Sequence, residues 1–361
     1  MTKRVFAPGP VPVPPDVMEA CARPVLHHRS SEFKELSQHI WKNLQTVFCT
    51  INPVLVLAGS GMSGIEACIA STVAPGDKVF VIRHGRFGER LAEINRRYGA
   101  TVIELSVEWG ETVSIELIEN CLREEANIST VWLVHSETST GVALDLESVS
   151  AVVHRYAPDA LLMVDAVLSI AIQEVQTDRW KLDAVVTGIQ KGLMCPPGLA
   201  CLSISDRFID RLKYRESRSY TLDLKVVLKD HQCGLFTWTP PVSLIAGLHV
   251  ALTNICRRGL PEVWAHHTEL SDSVRQNVEL RGMALFGTSN ANGVVVLEHP
   301  QSSDIIRQLD RVHNMIVIGG QDQLDNRVIR IGTCGSYTIK MMNELFDAID
   351  NVLSLPMKPL P

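Results

Sequence analysis

Lys191 stands in Thr187-Gly188-Ile189-Gln190-Lys191-Gly192, directly after an apolar run at 183–187 and before Leu193-Met194-Cys195-Pro196-Pro197-Gly198. Most lysines are solvated surface charges. A lysine at the exit of a buried strand is different, because desolvation lowers its pKa and makes the amine nucleophilic enough to form a Schiff base with a carbonyl. Asp165 closes another apolar run, Leu161-Leu162-Met163-Val164. An uncompensated carboxylate is expensive there. Two partners are open to it: local N–H groups, in a cap or turn role, or a protonated ring nitrogen on a cofactor that serves as an electron sink.

Two further segments carry polar chemistry. Gly59-Ser60-Gly61-Met62-Ser63-Gly64 follows the apolar run 54–58 and opens an amphipathic helix predicted over Ile65 to Thr72. Its glycines let backbone approach a ligand, and unpaired N–H groups at a helix start favour an anion such as phosphate. The spacing fits neither the dinucleotide pattern nor a P-loop, so a tight turn without a ligand stays open. His135-Ser136-Glu137-Thr138-Ser139-Thr140-Gly141 sets a polar run at the end of 130–134, where a plain polar turn is the simpler reading.

The elements that must position these groups are short apolar runs alternating with helical patterns, at 54–58, 78–82, 101–105, 130–134, 161–165, 183–187 and 200–204. Runs that are apolar throughout suit strands buried on both faces. They predict a mostly parallel sheet flanked by helices, with strand ends near 135, 165 and 188 opening toward one edge. The prolines at 8, 10, 12, 14 and 15 forbid helix or central strand over 7–15 and imply an extended stretch within an N-terminal arm, 1–20, while from Asp16 to about Cys49 the apolar spacing is helical. A large cofactor domain is expected over 21–250, with 235–241 an irregular loop and 242–258 a helix. A smaller C-terminal α+β domain is expected over 251–361, with strands near 294–297 and 328–331.

Composition narrows the classes. With 34 Lys+Arg against 40 Asp+Glu the net charge is −6, and no long run of like charges is present, so a nucleic-acid partner is not expected. The longest apolar stretch, 161–172, carries Asp165 and falls short of the ~20 residues a bilayer crossing needs, so no membrane partner is expected. The nine cysteines form no C-x-x-C pair, which reads as reduced thiols and no metal site, and the cytoplasm is the expected compartment.

Together these segments resemble the class V aminotransferases of fold type I, and within them the alanine–glyoxylate and serine–glyoxylate branch. The resemblance spans nearly the whole chain: Pro8-Gly9-Pro10 with Pro14-Pro15, His28-Arg29, Gly59-Ser60-Gly61, Gly85-Arg86-Phe87-Gly88, His135 to Gly141, Asp165-Ala166-Val167, Gln190-Lys191, Pro196-Pro197-Gly198, Thr239-Pro240-Pro241-Val242 and Arg330-Ile331-Gly332. It implies pyridoxal 5′-phosphate, held by Lys191 as an internal aldimine, with Lys191 later moving the proton of the substrate's α-carbon. It implies Asp165 at the pyridine nitrogen and Ser60, Gly61, Met62 and Gln190 around the phosphate. Thr138 would lie near the ring hydroxyl and Phe87 would stack on the ring. Arg330, with Gly9 of the arm, would hold the substrate carboxylate. Thr239 would reach the phosphate of a neighbouring subunit, which implies a homodimer with shared sites. The implied reaction moves an amino group from a small, alanine- or serine-like amino acid to a 2-oxo acid such as glyoxylate or pyruvate.

The pattern departs from the family at three positions. Phe236 stands where a tyrosine donates to the partner's phosphate, Ile189 replaces a common serine, and Thr333 replaces a frequent histidine and is expected near the substrate. Three alternatives follow: an aminotransferase for an unusual amine, a lyase or cysteine desulfurase using Cys334, and a relative that binds without catalysis. Against the desulfurase stands Gln190, where desulfurases usually have histidine.

Overall fold

A computed structural model of the chain describes residues 3–354. Its centre is a seven-stranded sheet ordered Val54–Ala58, Leu199–Ile204, Ala184–Gly188, Leu161–Asp165, Ile128–Val134, Lys78–Arg83, Thr101–Ser106. All seven apolar runs of the sequence are strands of this one sheet. Every neighbouring pair is parallel except those of Leu199–Ile204, which runs antiparallel to both its neighbours. Helices on each face bury the strands, so Leu161–Asp165, Ala184–Gly188 and Leu199–Ile204 are buried along their whole length. That double burial is why these strands lack polar alternation.

The helix after the glycine loop is Gly61–Thr72, longer at its start than the predicted Ile65–Thr72, because Ser60 in extended conformation begins it directly. The helical pattern from Asp16 to Cys49 resolves into Pro15–Cys21 and Ser31–Val47, the second started by the Ser30 hydroxyl, which accepts from the Phe33 N–H. The helix Val242–Arg258 has the predicted bounds. Gly259, at φ 85°, breaks the backbone before the next helix, Leu260–Leu280.

A second, antiparallel sheet is ordered Ala284–Leu285, Val294–Glu298, Val328–Gly332, Ile318–Gly319. Ser302–Val312, Leu260–Leu280 and Ile339–Ser354 pack on it around Phe6, Leu270, Ile329, Ile331 and Phe346. Phe6 belongs to the N-terminal arm, which is free of helix up to Pro14 and helical from Pro15, and it is part of this core. Arg4–Val5 pairs in parallel with Met315–Ile316, Gly332 N–H donates to Phe6 O at 2.6 Å, and Tyr337 stacks on the Phe6 ring at 5.7 Å. A division at 20/21 cuts the helix Pro15–Cys21, and one at 250/251 cuts Val242–Arg258. The break in secondary structure nearest the second division is Gly259, and Arg4, Val5 and Phe6 of the arm pack with the C-terminal unit.

Candidate active site

The parallel strands all end at one edge of the large sheet, and the residues just beyond them converge there. One cavity is lined by Ser60, Gly61, Met62, Phe87, Thr138, Asp165, Gln190 and Lys191, eight of the residues singled out in the sequence, with Val134, Ser136, Val167 and Leu168. This is the crevice that a parallel sheet opens where its strand order reverses: Val54–Ala58 lies on one edge and the next strand in sequence, Lys78–Arg83, near the other.

Lys191 Nζ donates to Pro8 O at 2.6 Å, so the arm reaches the cavity. A Cβ on Gly9, whose φ is +137°, would lie 2.4 Å from that nitrogen, which leaves room only for glycine beside Lys191. Burial pushes the Lys191 pKa down and Arg330 adds to this, against the opposing pull of Cys334 and Asp165. Desolvation therefore favours the neutral, nucleophilic amine. Asp165 is buried at its strand end, and its Oδ1 accepts from the Val167 N–H at 3.0 Å. Burial pushes its carboxyl up to about 7, with Glu137 adding to the rise and the Val167 N–H and Lys191 opposing it. Both readings of Asp165 thus meet: it makes one local N–H bond and still faces a cavity in which a cation would stabilise its charge.

At the start of the helix Gly61–Thr72 the Ser60 hydroxyl makes no capping bond, so the first-turn N–H groups of Gly61 and Met62 have no side-chain acceptor. A Cβ on Gly61 would lie 2.5 Å from Val167 Cγ2, so the backbone is drawn in as close as glycine allows. Gln190 Oε1 is buried and unpartnered. Since amide oxygen and nitrogen are interchangeable by a flip, the same side chain can present N–H donors. The helix end and Gln190 make a site for a phosphate-sized anion.

Glu137 received no role of its own in the sequence. It is fully buried, and its Oε2 accepts from the N–H groups of Phe87 at 3.0 Å and Gly88 at 3.2 Å. Its Oε1 accepts from Ser139 N–H at 3.1 Å and Ser139 Oγ at 2.6 Å. The carboxylate thus caps the helix Arg86–Arg97 and sets Phe87 over the cavity, where the positive helix end offsets its charge. Gly85 is the signal that could have found it, since a Cβ there would lie 2.3 Å from Glu137 Cγ. The Arg90 guanidinium lies over the Phe87 ring, 4.9 Å from its centroid.

Arg330 comes from the second sheet. Its Nε donates to Gly319 O at 2.7 Å and its Nη1 to Thr138 O at 3.3 Å, and burial lowers its pKa to about 10 against the opposing effect of Glu137. No carboxylate of the described residues pairs with it, so part of its donor fork remains free for a substrate carboxylate.

Other residues lie elsewhere. Thr239 is exposed in a separate groove with Phe236, Trp238 and Pro240, so a single chain does not bring it to Lys191. Phe236 packs on Phe33 and Trp41, with ring centroids 5.7 Å away in each case, and Ile189 is buried in the core. Thr333 departs from expectation. It is wholly buried, its hydroxyl donating to Asn292 O at 3.0 Å and accepting from Ser271 Oγ at 3.0 Å, because its side chain turns into the C-terminal core and away from the cavity. Cys334 is buried near Lys191, and burial pushes its thiol up to about 11, which keeps it protonated and a poor nucleophile.

The model of the family described as aminotransferase class-V matches residues 12–325. An uncharacterized aminotransferase of Methanocaldococcus jannaschii is 34% identical over 92% of this chain and 88% of its own length. The serine–glyoxylate aminotransferase of Methylorubrum extorquens is 32% identical over 94% of this chain and 87% of its own. The crystal structure of alanine–glyoxylate aminotransferase from Nostoc sp. superposes with a TM-score of 0.93 at 30% identity, covering 98% of this chain and 96% of that one. With a lysine and an aspartate facing one cavity at the strand ends and a family match over most of its length, the chain belongs to the class V aminotransferases.

Proposed function

We propose that the enzyme moves an amino group from a small amino acid of the alanine or serine kind to a 2-oxo acid such as glyoxylate or pyruvate, using pyridoxal 5′-phosphate. The observation that carries this reading is the desolvated Lys191 amine facing the buried Asp165 carboxyl across one cavity. The residues present fit the cofactor. Its phosphate suits the uncapped start of the helix Gly61–Thr72, with Ser60, Gly61, Met62 and the unpartnered amide of Gln190. Its ring suits the face of Phe87, and its ring nitrogen suits Asp165, whose raised pKa marks a carboxyl in need of a positive partner. Thr138 stands beside the ring hydroxyl in this reading.

Bound there, the cofactor supplies a carbonyl for amine attachment and an electron sink for the substrate's α-carbon. The rest falls to the chain. Lys191 Nζ would hold the cofactor and would take and return the proton of the donor's α-carbon. Asp165 Oδ would hold a negative charge against the ring nitrogen and keep it protonated. Phe87 would pack against the ring. Arg330 takes the α-carboxylate with its free donors, and glycine at position 9 lets the arm close against Lys191 without blocking it.

Thr239 is assigned to the phosphate of a second copy of the chain, in a homodimer with shared sites. The reading draws support from the distance of Thr239 from its own cavity and from exposed apolar side chains nearby, Val25 at 70% exposure and Trp238 at 43%. Among the described residues every cysteine is free and no helix is long and apolar enough to cross a membrane. Free thiols accord with a cytoplasmic setting.

Absorbance spectra of the protein with added pyridoxal phosphate test the reading. A near-visible band that single amino acids bleach and a 2-oxo acid restores is expected, and Lys191→Ala should remove it. A band unaffected by Lys191→Ala, or indifferent to every amino acid, refutes it.

A further inference from the structure

Two helices that supply cavity residues start in opposite ways. Gly61–Thr72 begins with no side-chain acceptor, whereas the first turn of Arg86–Arg97 is filled by the turn 137–139. Arg86 N–H donates to Ser139 Oγ at 3.0 Å, and the N–H groups of Phe87 and Gly88 donate to Glu137 Oε2. Ser139 Oγ in turn donates to Glu137 Oε1 at 2.6 Å. Three successive helix N–H groups thus end on two side chains of one turn, with a buried carboxylate at the positive helix end. Gly141 N–H closes the turn on Glu137 O at 2.8 Å.

The same turn reaches further. Thr138, between Glu137 and Ser139, lines the cavity, and its carbonyl accepts from Arg330 Nη1 at 3.3 Å. The Glu137 charge also supports the Arg330 cation against the burial that weakens it. Phe87, Thr138 and Arg330 come from three separate stretches of the chain and share one anchor. Glu137 is not itself among the residues lining the cavity, so it acts through these neighbours. We propose that Glu137 is a positioning residue that sets the wall for the cofactor ring and the clamp for the donor carboxylate together: its carboxylate fixes Phe87 through the helix start and fixes the turn on which Arg330 rests. The assignment rests on the transaminase reading, with Phe87 at the ring and Arg330 at the α-carboxylate.

Glu137→Gln keeps the shape and removes one acceptor oxygen. The remaining oxygen can serve Phe87 and Gly88 or Ser139, and an NH2 group then faces N–H donors on the other side. Titrated with pyridoxal phosphate and followed by absorbance, the variant should bind about tenfold more weakly than the wild type. In the loaded enzyme KM for L-alanine or L-serine, whichever the wild type uses, should rise about tenfold, with a smaller fall in kcat. Gly85→Ala tests the same link without changing charge, since its Cβ would lie 2.3 Å from Glu137 Cγ and 2.6 Å from Ser139 Oγ. It should move both readings in the same direction, and Ser139→Ala should move both by less. Ser114→Ala, which removes the acceptor for Leu117 N–H at the start of the helix Ile115–Glu124, is the control: its melting temperature should fall while both readings stay. A Glu137→Gln protein changed only in melting temperature, or in one reading without the other, overturns the assignment. So does failure of the variants at 85, 137 and 139 all to fold. Should the wild type form no band or react with no amino acid, the transaminase reading falls and the assignment with it. A wild type that transaminates, beside an unmoved Glu137→Gln, defeats Glu137 alone.

Discussion

The floor and the mouth of the cavity are built in different ways. Asp165, Gln190, Lys191 and the turn at 60–62 sit within a few residues of strand ends, so once the parallel sheet forms they converge. The mouth is assembled from the arm at Pro8 and Gly9, which meets Lys191, and the Arg330 strand, which meets Thr138, neither of which neighbours the floor in sequence. The contrast teaches that floor residues inherit their geometry from strand register, whereas mouth residues depend on the C-terminal sheet docking onto the large one. Substitutions in the floor should therefore strike chemistry or cofactor retention, and those at the mouth should strike substrate choice and affinity.

The largest effect should come from Lys191→Ala, which removes the group proposed to hold the cofactor and to move the proton. Transamination should fall by roughly 10³-fold or more while the circular dichroism of the folded protein is unchanged. A variant retaining a tenth of wild-type turnover would break the assignment of the floor.

Arg330→Lys replaces a bidentate fork with a point charge and should raise KM for the amino donor by about 10- to 100-fold, with the cofactor absorbance intact. Loss of the cofactor band in this variant would show that Arg330 serves the floor, and the contrast would blur.

Asp165 sharpens the comparison through pH. Its folded carboxyl, at about 7, lies above the ordinary value of 3.8, so the folded, cofactor-free protein binds the extra proton. The stability tied to this group is fully present below about pH 3.8 and is lost as pH rises through 7. Asp165→Asn removes that loss. Urea unfolding of the cofactor-free proteins should show the variant gaining on the wild type between pH 4 and 7, by up to a few kcal/mol. A gap that stays constant with pH contradicts the raised carboxyl.

The smallest effect belongs to Cys334→Ala. The thiol is buried and protonated beside Lys191, so kcat should change by less than about threefold, with a cost in stability of roughly 1 kcal/mol. Sulfur transfer from cysteine that depended on Cys334 would reverse this reading.

Much of the floor was legible in the sequence because a strand buried on both faces announces itself as an unbroken apolar run. The polar residue that ends such a run, as Asp165 and Lys191 do, is conspicuous against it. Glu137 escaped notice because its role is local to three dimensions: its carboxylate lies in a polar run that reads as a turn, and its N–H partners belong to the helix Arg86–Arg97. Thr333 was expected at the substrate from its place after Arg330-Ile331-Gly332. The strand's alternation instead turned it toward Ser271 and the core.

The sequence by itself determined the seven strands, the long helix Val242–Arg258 and the chemical types at the strand ends, because hydrophobic periodicity and backbone restriction act over a few residues at a time. Only the tertiary structure decided that the Pro8 carbonyl meets Lys191 across 183 positions and Arg330 meets Thr138 across 192. Contacts of such range follow from how two sheets and an arm pack together, and no local preference of the chain encodes them.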